Sequence, residues 1–142
     1  MIFEKKLLTI IFINLLLCTQ ALAGWDFVLQ DDKGTKVYID AKTFRKDSNY
    51  YYIWILNDLK VPFKGTNADK KRPISIPEKI KSAEMQVQID CNLMKAETLE
   101  YIFYDGQMGE GRPTFLTHDK IEWKYYPPGS SMHIVIKAIC SL

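Results

Sequence analysis

The sequence predicts an α+β protein in which about six antiparallel strands form one sheet and a C-terminal α-helix packs on it. Three observations predict this class. Short segments rich in aromatic and β-branched residues recur along the chain, turn residues separate them, and apolar residues return at helical spacing only near the end. Strands joined by short turns pair antiparallel, and a helix must bury its apolar side against such a sheet.

The N-terminal segment has the pattern of a secretory signal. The charged residues Glu4–Lys6 precede the apolar run Leu7–Leu17, and Ala21–Ala23 supplies small residues around a cleavage site. The apolar run is shorter than the ~20 residues that cross a membrane. We therefore expect residues 1–23 to be removed, and residues 24–142 to form a single domain without a transmembrane span.

The charge balance excludes one class of partner. The chain has 19 Lys and Arg against 17 Asp and Glu, and removal of the expected signal, with its two lysines and one glutamate, leaves a net charge of +1. Nucleic-acid binding requires a concentrated basic surface. An aromatic content of 13% is also untypical of a disordered chain. We expect a globular exported protein with no nucleic-acid partner.

The cysteines predict one disulfide. Cys18 lies inside the signal and is either removed with it or lipid-modified, although a small residue normally precedes a lipid-modified cysteine and Leu17 stands here. Cys91 and Cys140 remain, and in an exported protein such a pair is expected to be bridged. A metal pair or a catalytic thiol is disfavoured, because no Cys-x-x-Cys or nearby histidine accompanies them.

The first strands are expected to form a hairpin. Trp25–Gln30 alternates in polarity, and the turn cluster Asp31–Gly34 separates it from the β pattern of Thr35–Asp40. The alternation places three apolar side chains on one face: Trp25, Phe27 and Leu29. Ala41–Arg45 is expected to be a short helical turn or loop capped by the Asp40 carboxylate.

The strand that follows is expected to be central. Tyr50–Leu56 is aromatic or aliphatic at every position, which is typical of a strand covered on both faces. The pattern then ends, and prolines interrupt Lys60–Lys81, where we expect a long exposed loop. Its basic residues are candidates for binding an anionic glycan or matrix protein, the alternative being ordinary solubilising charge. The candidate residues are Lys64, Lys70, Lys71 and Arg72.

Strand patterns resume in the second half of the chain. Ala83–Cys91 alternates strictly, so Met85, Val87 and Ile89 are expected to face the core while Glu84, Gln86, Gln88 and Asp90 face water. Thr98–Tyr104 is a further strand, Thr114–Thr117 a short one and Glu122–Lys124 a small edge element.

A helix is expected at the C-terminus. Pro127–Ser131 forms a sharp boundary and offers a serine N-cap. Apolar residues then recur at helical spacing, at Met132, Val135, Ile136, Ile139 and Cys140. The β-branched content favours a strand, but the periodicity favours a helix.

No catalytic, metal or cofactor site is predicted. The two histidines, His118 and His133, are expected to be exposed, as are the scattered carboxylates Glu97, Glu100, Asp105 and Glu110. Gly106–Gly111 has the look of a phosphate-binding loop. However, Arg112-Pro113 and a strand follow it rather than a helix, so we expect its glycines to serve positive φ in a strand connection.

Read in order, these motifs resemble the surface-adhesin protein E family of Gram-negative bacteria. The motifs that carry the resemblance are Trp25, Gly34–Asp40, Trp54–Asp58, Asp90-Cys91, Tyr104 through Met108–Gly111, Trp123, Pro127–Ser130 and Cys140. They cover nearly the whole mature chain.

The resemblance implies an exported, disulfide-linked antiparallel sheet with a C-terminal helix. It also implies a homodimer and binding to host matrix or serum proteins such as vitronectin, laminin or plasminogen. Because Leu17-Cys18 is a poor lipidation site, we expect either the outer cell surface or the periplasm as the location. In the periplasm, the expected role is that of an accessory or inhibitor protein acting on an envelope partner.

Overall fold

The computed structural model describes residues 24–64, 78–117 and 122–142, and the predicted signal lies outside them. These ranges contain seven strands and one helix. They are β1 (Asp26–Gln30), β2 (Lys36–Asp47), β3 (Tyr50–Phe63), β4 (Ile80–Asp90), β5 (Lys95–Tyr104), β6 (Pro113–Thr117), β7 (Lys124–Tyr125) and α1 (Ser131–Ile139). The described residues form no helix with the length and apolar character needed to cross a membrane.

The sheet follows the order of the chain. Each strand from β1 to β6 pairs antiparallel with the next, and β7 pairs with the part of β5 that β6 leaves free. The predicted antiparallel sheet is thereby confirmed, with β3 in its interior between β2 and β4. Residues that pair directly across antiparallel strands share a face, so the register defines two faces of the sheet.

The core lies between one face of the sheet and α1. We call this the first face; its row through Ile39, Ile55 and Met85 crosses three strands. Burial of apolar side chains here stabilises the fold by roughly 1.5–3 kcal/mol for each large residue. The buried members of the cluster are Val37, Ile39, Ile53, Ile55, Val87, Ile89 and Ala96 from the sheet and Val135, Ile136 and Ile139 from α1.

The C-terminal helix is confirmed, together with its cap. The Ser130 hydroxyl accepts a hydrogen bond of 3.3 Å from the His133 backbone N–H, which satisfies one of the free donors of the first turn. The helix ends at Cys140, whose backbone N–H donates to the Ile136 carbonyl. Helical spacing therefore outweighs the β-branched content, because it aligns Val135, Ile136 and Ile139 with the core.

The predicted disulfide is present. Cys91 follows β4 directly, Cys140 caps α1, and their Cα atoms lie 5.8 Å apart. Both residues pack against the core cluster. The bridge thus attaches the helix to the end of an interior strand.

The predicted helical turn or loop at Ala41–Arg45 is wrong, although the Asp40 carboxylate accepts a hydrogen bond of 3.0 Å from the Lys42 N–H. The segment belongs to β2, where four residues lie opposite one residue of β3: Asp40 pairs with Trp54 and Arg45 with Tyr52. The Thr43 hydroxyl accepts from the Trp54 backbone N–H at 3.0 Å and donates to the Asp40 carbonyl at 2.7 Å. This side chain satisfies a donor that the bulged backbone leaves free, so the strand continues.

The predicted alternation of β1 is also wrong in part. Phe27 pairs with Tyr38 and Leu29 with Val37, so a bulge at Val28 places Phe27 and Leu29 on opposite faces. Leu29 packs against the core, whereas Phe27 is 58% exposed and contacts the Tyr38 ring edge to face.

The predicted loop at Lys60–Lys81 is shorter than expected. β3 continues to Phe63 and β4 begins at Ile80, and these two residues pair with each other. Strand therefore occupies both ends of the segment, and residues 65–77 lie outside the described part of the chain.

Replacing both cysteines by serine, C91S/C140S, should lower the free energy of unfolding by about 4 kcal/mol. The bridge joins residues 49 positions apart, and on the chain-entropy model its loss frees the unfolded chain by that amount. Urea unfolding followed by circular dichroism measures the change. The same loss should follow reduction of the wild type, whereas equal stability of oxidised and reduced protein would contradict it.

Candidate functional site

The sheet has a second face, opposite the helix. Its rows run across four or five strands, and they combine aromatic, amide and carboxylate side chains. The rows are Lys36, Asp58, Ser82 and Tyr104; Tyr38, Leu56, Glu84, Ile102 and Phe115; Asp40, Trp54, Gln86 and Glu100; and Arg45, Tyr52, Gln88 and Glu97. We call this surface the second face.

The glycine-rich turn Asp105–Gly111 covers one end of the second face. The buried Ser82 hydroxyl donates to the Gly106 carbonyl at 2.6 Å and accepts from the Gly109 N–H at 3.0 Å. The Met108 N–H donates to the Asp58 carboxylate at 2.8 Å. Gly109 and Gly111 have positive φ, as the sequence predicts for a strand connection. The turn therefore caps one end of the sheet, and a strand rather than a helix follows it.

Beneath this turn, Tyr104 and Glu84 form a polar pair. The Tyr104 hydroxyl donates to the Glu84 carboxylate, and a Cβ on Gly109 would stand 2.6 Å from Glu84 Oε1. Burial raises the pKa of Glu84; the hydrogen bond from Tyr104 offsets part of this effect, and the nearby Asp40 charge adds to it. Burial, together with the charge and hydrogen bond of Glu84, raises the pKa of Tyr104 to about 12.

The indole of Trp123 covers the other end of the second face. Its ring centroid lies 5.3 Å from that of Tyr50, and Lys95 Nζ stands 4.8 Å from the centroid of the indole. A second cation–π contact lies nearby, where the Arg45 guanidinium sits 4.0 Å from the Tyr52 ring centroid. The aromatic rings of this surface thus already attract cations of the chain itself.

Between the two covers lie four polar side chains on β4 and β5. Gln86 pairs with Glu100 and Gln88 with Glu97, so the four form a two-by-two arrangement that we call the polar block. Within the described residues, none of these side chains makes a hydrogen bond or an ion pair. Trp54 and Tyr52 flank the block on β3. The carboxylates and amides of the block therefore have no hydrogen-bond partner among the described residues.

Glu97 differs from its prediction as an exposed carboxylate. Its side chain is only 1% exposed, and both carboxylate oxygens are buried without a hydrogen-bond partner. β7 pairs Ala96 with Lys124, so Trp123 comes next along the ladder, level with Glu97. Burial raises the pKa of Glu97, because water is excluded from the charged form.

His133 also differs from its prediction. The side chain is half-buried, and its Nδ1 atom is buried without a partner. His118 lies outside the described residues. Glu100 and Asp105 are half-buried rather than exposed, and Glu110 is exposed as predicted.

Of the predicted partner-binding residues, the structure describes one. Lys64 is exposed directly after β3, whereas Lys70, Lys71 and Arg72 fall within residues 65–77, outside the described part. No group of three or more histidine, cysteine or carboxylate side chains that could hold a metal ion occurs in the described ranges.

The sequence predicts only the β4 half of the polar block. The alternation of β4 predicts that Gln86 and Gln88 share a face, and this is confirmed. Glu97 and Glu100 are three residues apart, a spacing that puts them on opposite faces of a regular strand. A register shift in β5, opposite Gln86 and Val87, places Glu97 and Glu100 on the same face. No local sequence pattern predicts this shift.

Comparisons with known proteins give one consistent result. A family model described as surface-adhesin protein E matches residues 25–141. No curated protein matches the chain.

Three solved structures of Haemophilus influenzae protein E share the fold. Crystal form II has a TM-score of 0.62 at 15% identity, covering 87% of this chain and 91% of that one. A second structure has a TM-score of 0.60 at 16% identity, with 87% and 88% covered. That of the protein from a non-typeable strain has a TM-score of 0.58 at 15% identity, with 87% and 79% covered. At this identity the likeness concerns the fold alone.

Replacing Ser82 by alanine should destabilise the protein by about 1–3 kcal/mol, because the Gly106 carbonyl and the Gly109 N–H both lose their partner in a buried place. Chemical denaturation measures the change. The matched control is S131A, since the Ser131 hydroxyl makes no hydrogen bond to another described residue. Equal effects of the two substitutions would contradict the role given to Ser82.

Glu97 should make stability fall as the pH rises. A carboxyl group whose pKa is higher in the folded than in the unfolded state binds its proton more tightly when folded. The free energy of unfolding should therefore be greatest below the ordinary value of 4.5 and should decline as the pH rises through the raised pKa. Denaturation at several pH values measures this decline.

Two variants test the assignment to Glu97. E97Q should flatten the decline, leaving the part due to Glu84, whose pKa is also raised. E97M should increase stability at neutral pH, because an apolar side chain of similar length needs no partner. E110Q removes a charge from an exposed turn and is the control. An E97Q profile parallel to that of the wild type would contradict the assignment.

Proposed function

The chain belongs to the surface-adhesin protein E family, and from this premise we propose that it is an exported, non-enzymatic adhesin that binds host extracellular matrix or serum proteins. The observation that carries the proposal is the family match, which spans residues 25–141 and so nearly all of the chain that follows the expected signal. Vitronectin, laminin and plasminogen are the first candidates, as the resemblance of the sequence implies.

The form of the molecule supports a binding role. The core lies between the first face and α1, so the second face is left to other contacts. Surfaces that combine half-buried aromatic rings with unused polar groups are typical of binding sites. Residues 1–23 are proposed to direct export, and residues 24–142 to form the single binding domain. A homodimer is proposed with it, and light scattering of the purified protein measures its mass.

Purified protein should bind at least one immobilised matrix or serum protein saturably at physiological salt. Surface plasmon resonance with vitronectin, laminin and plasminogen measures this, with reduced and chemically unfolded wild-type protein as the control for specific folding. An absence of saturable binding to all of them, or loss of all binding after a modest increase in salt, would contradict the proposal.

The basic segment at Lys64, Lys70, Lys71 and Arg72 remains a prediction. If it makes the contact, the variant K70A/K71A/R72A should weaken the binding by about tenfold or more, because each lost charge-assisted hydrogen bond is worth about 1.5–3 kcal/mol. K33A/K42A/K137A removes the same charge from exposed lysines outside that segment and is the matched control. Equal binding by both variants would assign the contact to another surface.

A second function is favoured by the sequence before Cys18. Leu17 stands where lipid-modified cysteines normally have a small residue before them, and an exported chain without an anchor would stay in the periplasm as an accessory or inhibitor of an envelope protein. Protease treatment of intact cells separates the two functions. A surface adhesin is digested, whereas a periplasmic protein is cleaved only after the outer membrane is opened.

A further inference from the structure

We propose that the polar block, Gln86, Gln88, Glu97 and Glu100, binds an arginine side chain of a basic segment in a partner protein. The inference rests on the proposed function, because it names a surface through which the adhesin would make its contact. It assigns that contact to the second face rather than to the basic segment that the sequence singles out.

The unused groups of the polar block define the chemistry of the ligand. Its two carboxylates and two amide carbonyls are hydrogen-bond acceptors, and no other described residue engages them. A guanidinium has five N–H donors in one plane and no acceptor, so it complements such a set. Neighbouring strands are about 4.8 Å apart and alternate residues about 7 Å apart, which is the size of one guanidinium group.

Among the described residues, no cation forms an ion pair with the polar block. The described residues contain one ion pair, between Arg112 and Asp105, at 3.8 Å. The two cations nearest in the register, Arg45 and Lys95, lie over the rings of Tyr52 and Trp123 instead. Glu97 and Glu100 are therefore left to attract a cation from outside.

The burial of Glu97 is a second observation, separate from the negative charge of the block. Its carboxylate is 1% exposed and unpartnered, and a buried carboxylate is costly unless a donor or a cation reaches it. An arriving guanidinium would provide both. Trp123 lies level with Glu97 along the β5–β7 ladder, so a cation bound to Glu97 would lie beside an aromatic ring that adds to the attraction.

The aromatic flanks favour arginine over lysine. The planar guanidinium stacks on rings and contacts a carboxylate with two parallel hydrogen bonds, whereas the ammonium group of lysine is compact and strongly hydrated. The partner is thus expected to present arginine in an exposed basic stretch. A neutral glycan or a second copy of this chain would not show that preference.

The test uses the purified protein with three short peptides of equal length, oligo-arginine, oligo-lysine and oligo-glutamate, at an ionic strength of about 0.15 M. Isothermal titration measures affinity, and tryptophan fluorescence reports changes around the tryptophans, of which Trp54 and Trp123 lie beside the block. We expect oligo-arginine to bind more tightly than oligo-lysine, oligo-glutamate not to bind, and the fluorescence to change with oligo-arginine. Equal affinity for the two basic peptides would overturn the proposal, as would binding of oligo-glutamate.

The variant E97Q/E100Q removes both charges with little change of shape. It should weaken the binding of oligo-arginine by about tenfold or more, because the hydrogen bonds to the guanidinium lose the charge that strengthens them. E78Q/E110Q makes the same charge change at exposed glutamates outside the block and should bind like the wild type. Far-UV circular dichroism and an intact disulfide by mass establish folding. Equal losses in the two variants would overturn the proposal.

The outcome is separable from that of the proposed function. If the wild type binds a matrix protein and E97Q/E100Q binds it equally well, the adhesin function stands and the polar block is not its site. If the wild type binds oligo-arginine through the block but no matrix or serum protein, the block is a cation site and the adhesin function fails.

Discussion

The covalent link between Cys91 and Cys140 is the constraint on which the architecture depends. A helix of nine residues is marginal in water by itself, since isolated helices need roughly 12–15 residues to be populated. Yet α1 is the element that covers the first face, and it supplies three buried residues of the core. The bridge holds the end of this helix beside the end of β4. The apolar cluster therefore lies between the sheet on one side and the helix on the other.

Because α1 packs on the first face, the other face of the sheet is left to other parts of the chain. Two later parts of the chain reach over it: the turn Asp105–Gly111, anchored on Ser82, and Trp123, which contacts Tyr50. They leave the polar block between them. The position of the polar block therefore depends on where the turn and Trp123 lie, and no sequence motif of its own marks it.

Much of the fold can be predicted from local patterns. The hydrophobic run Tyr50–Leu56 indicated the interior strand, the alternation around Val87 indicated the two faces of β4, and Ser130 indicated the start of the helix; all three are present. These features are local, because a strand or a cap is encoded within a few residues. The cysteine pair was predictable because an exported chain with two cysteines has one way to join them.

The errors arise where register or distant residues decide. The bulge at Ala41–Phe44 depends on a hydrogen bond from the Trp54 N–H to Thr43, eleven residues earlier, and the bulge at Val28 depends on pairing with β2. Glu97 lies directly beside the pairing of β5 with β7, a strand that comes from the last fifth of the chain. Periodicity along one strand contains no information on what a later segment places over it, so the polar block was missed.

The nearest-neighbour order of the strands has a consequence for how the molecule assembles. Every pairing from β1 to β6 joins consecutive strands, so the sheet can grow hairpin by hairpin with short loop closures. A covalent link joins Cys91 to a residue two positions from the C-terminus. Residues 24–142 contain no third thiol, so oxidation has no competing isomer to resolve. Closing this bridge attaches the C-terminal helix to a sheet whose strands pair in the order of the chain.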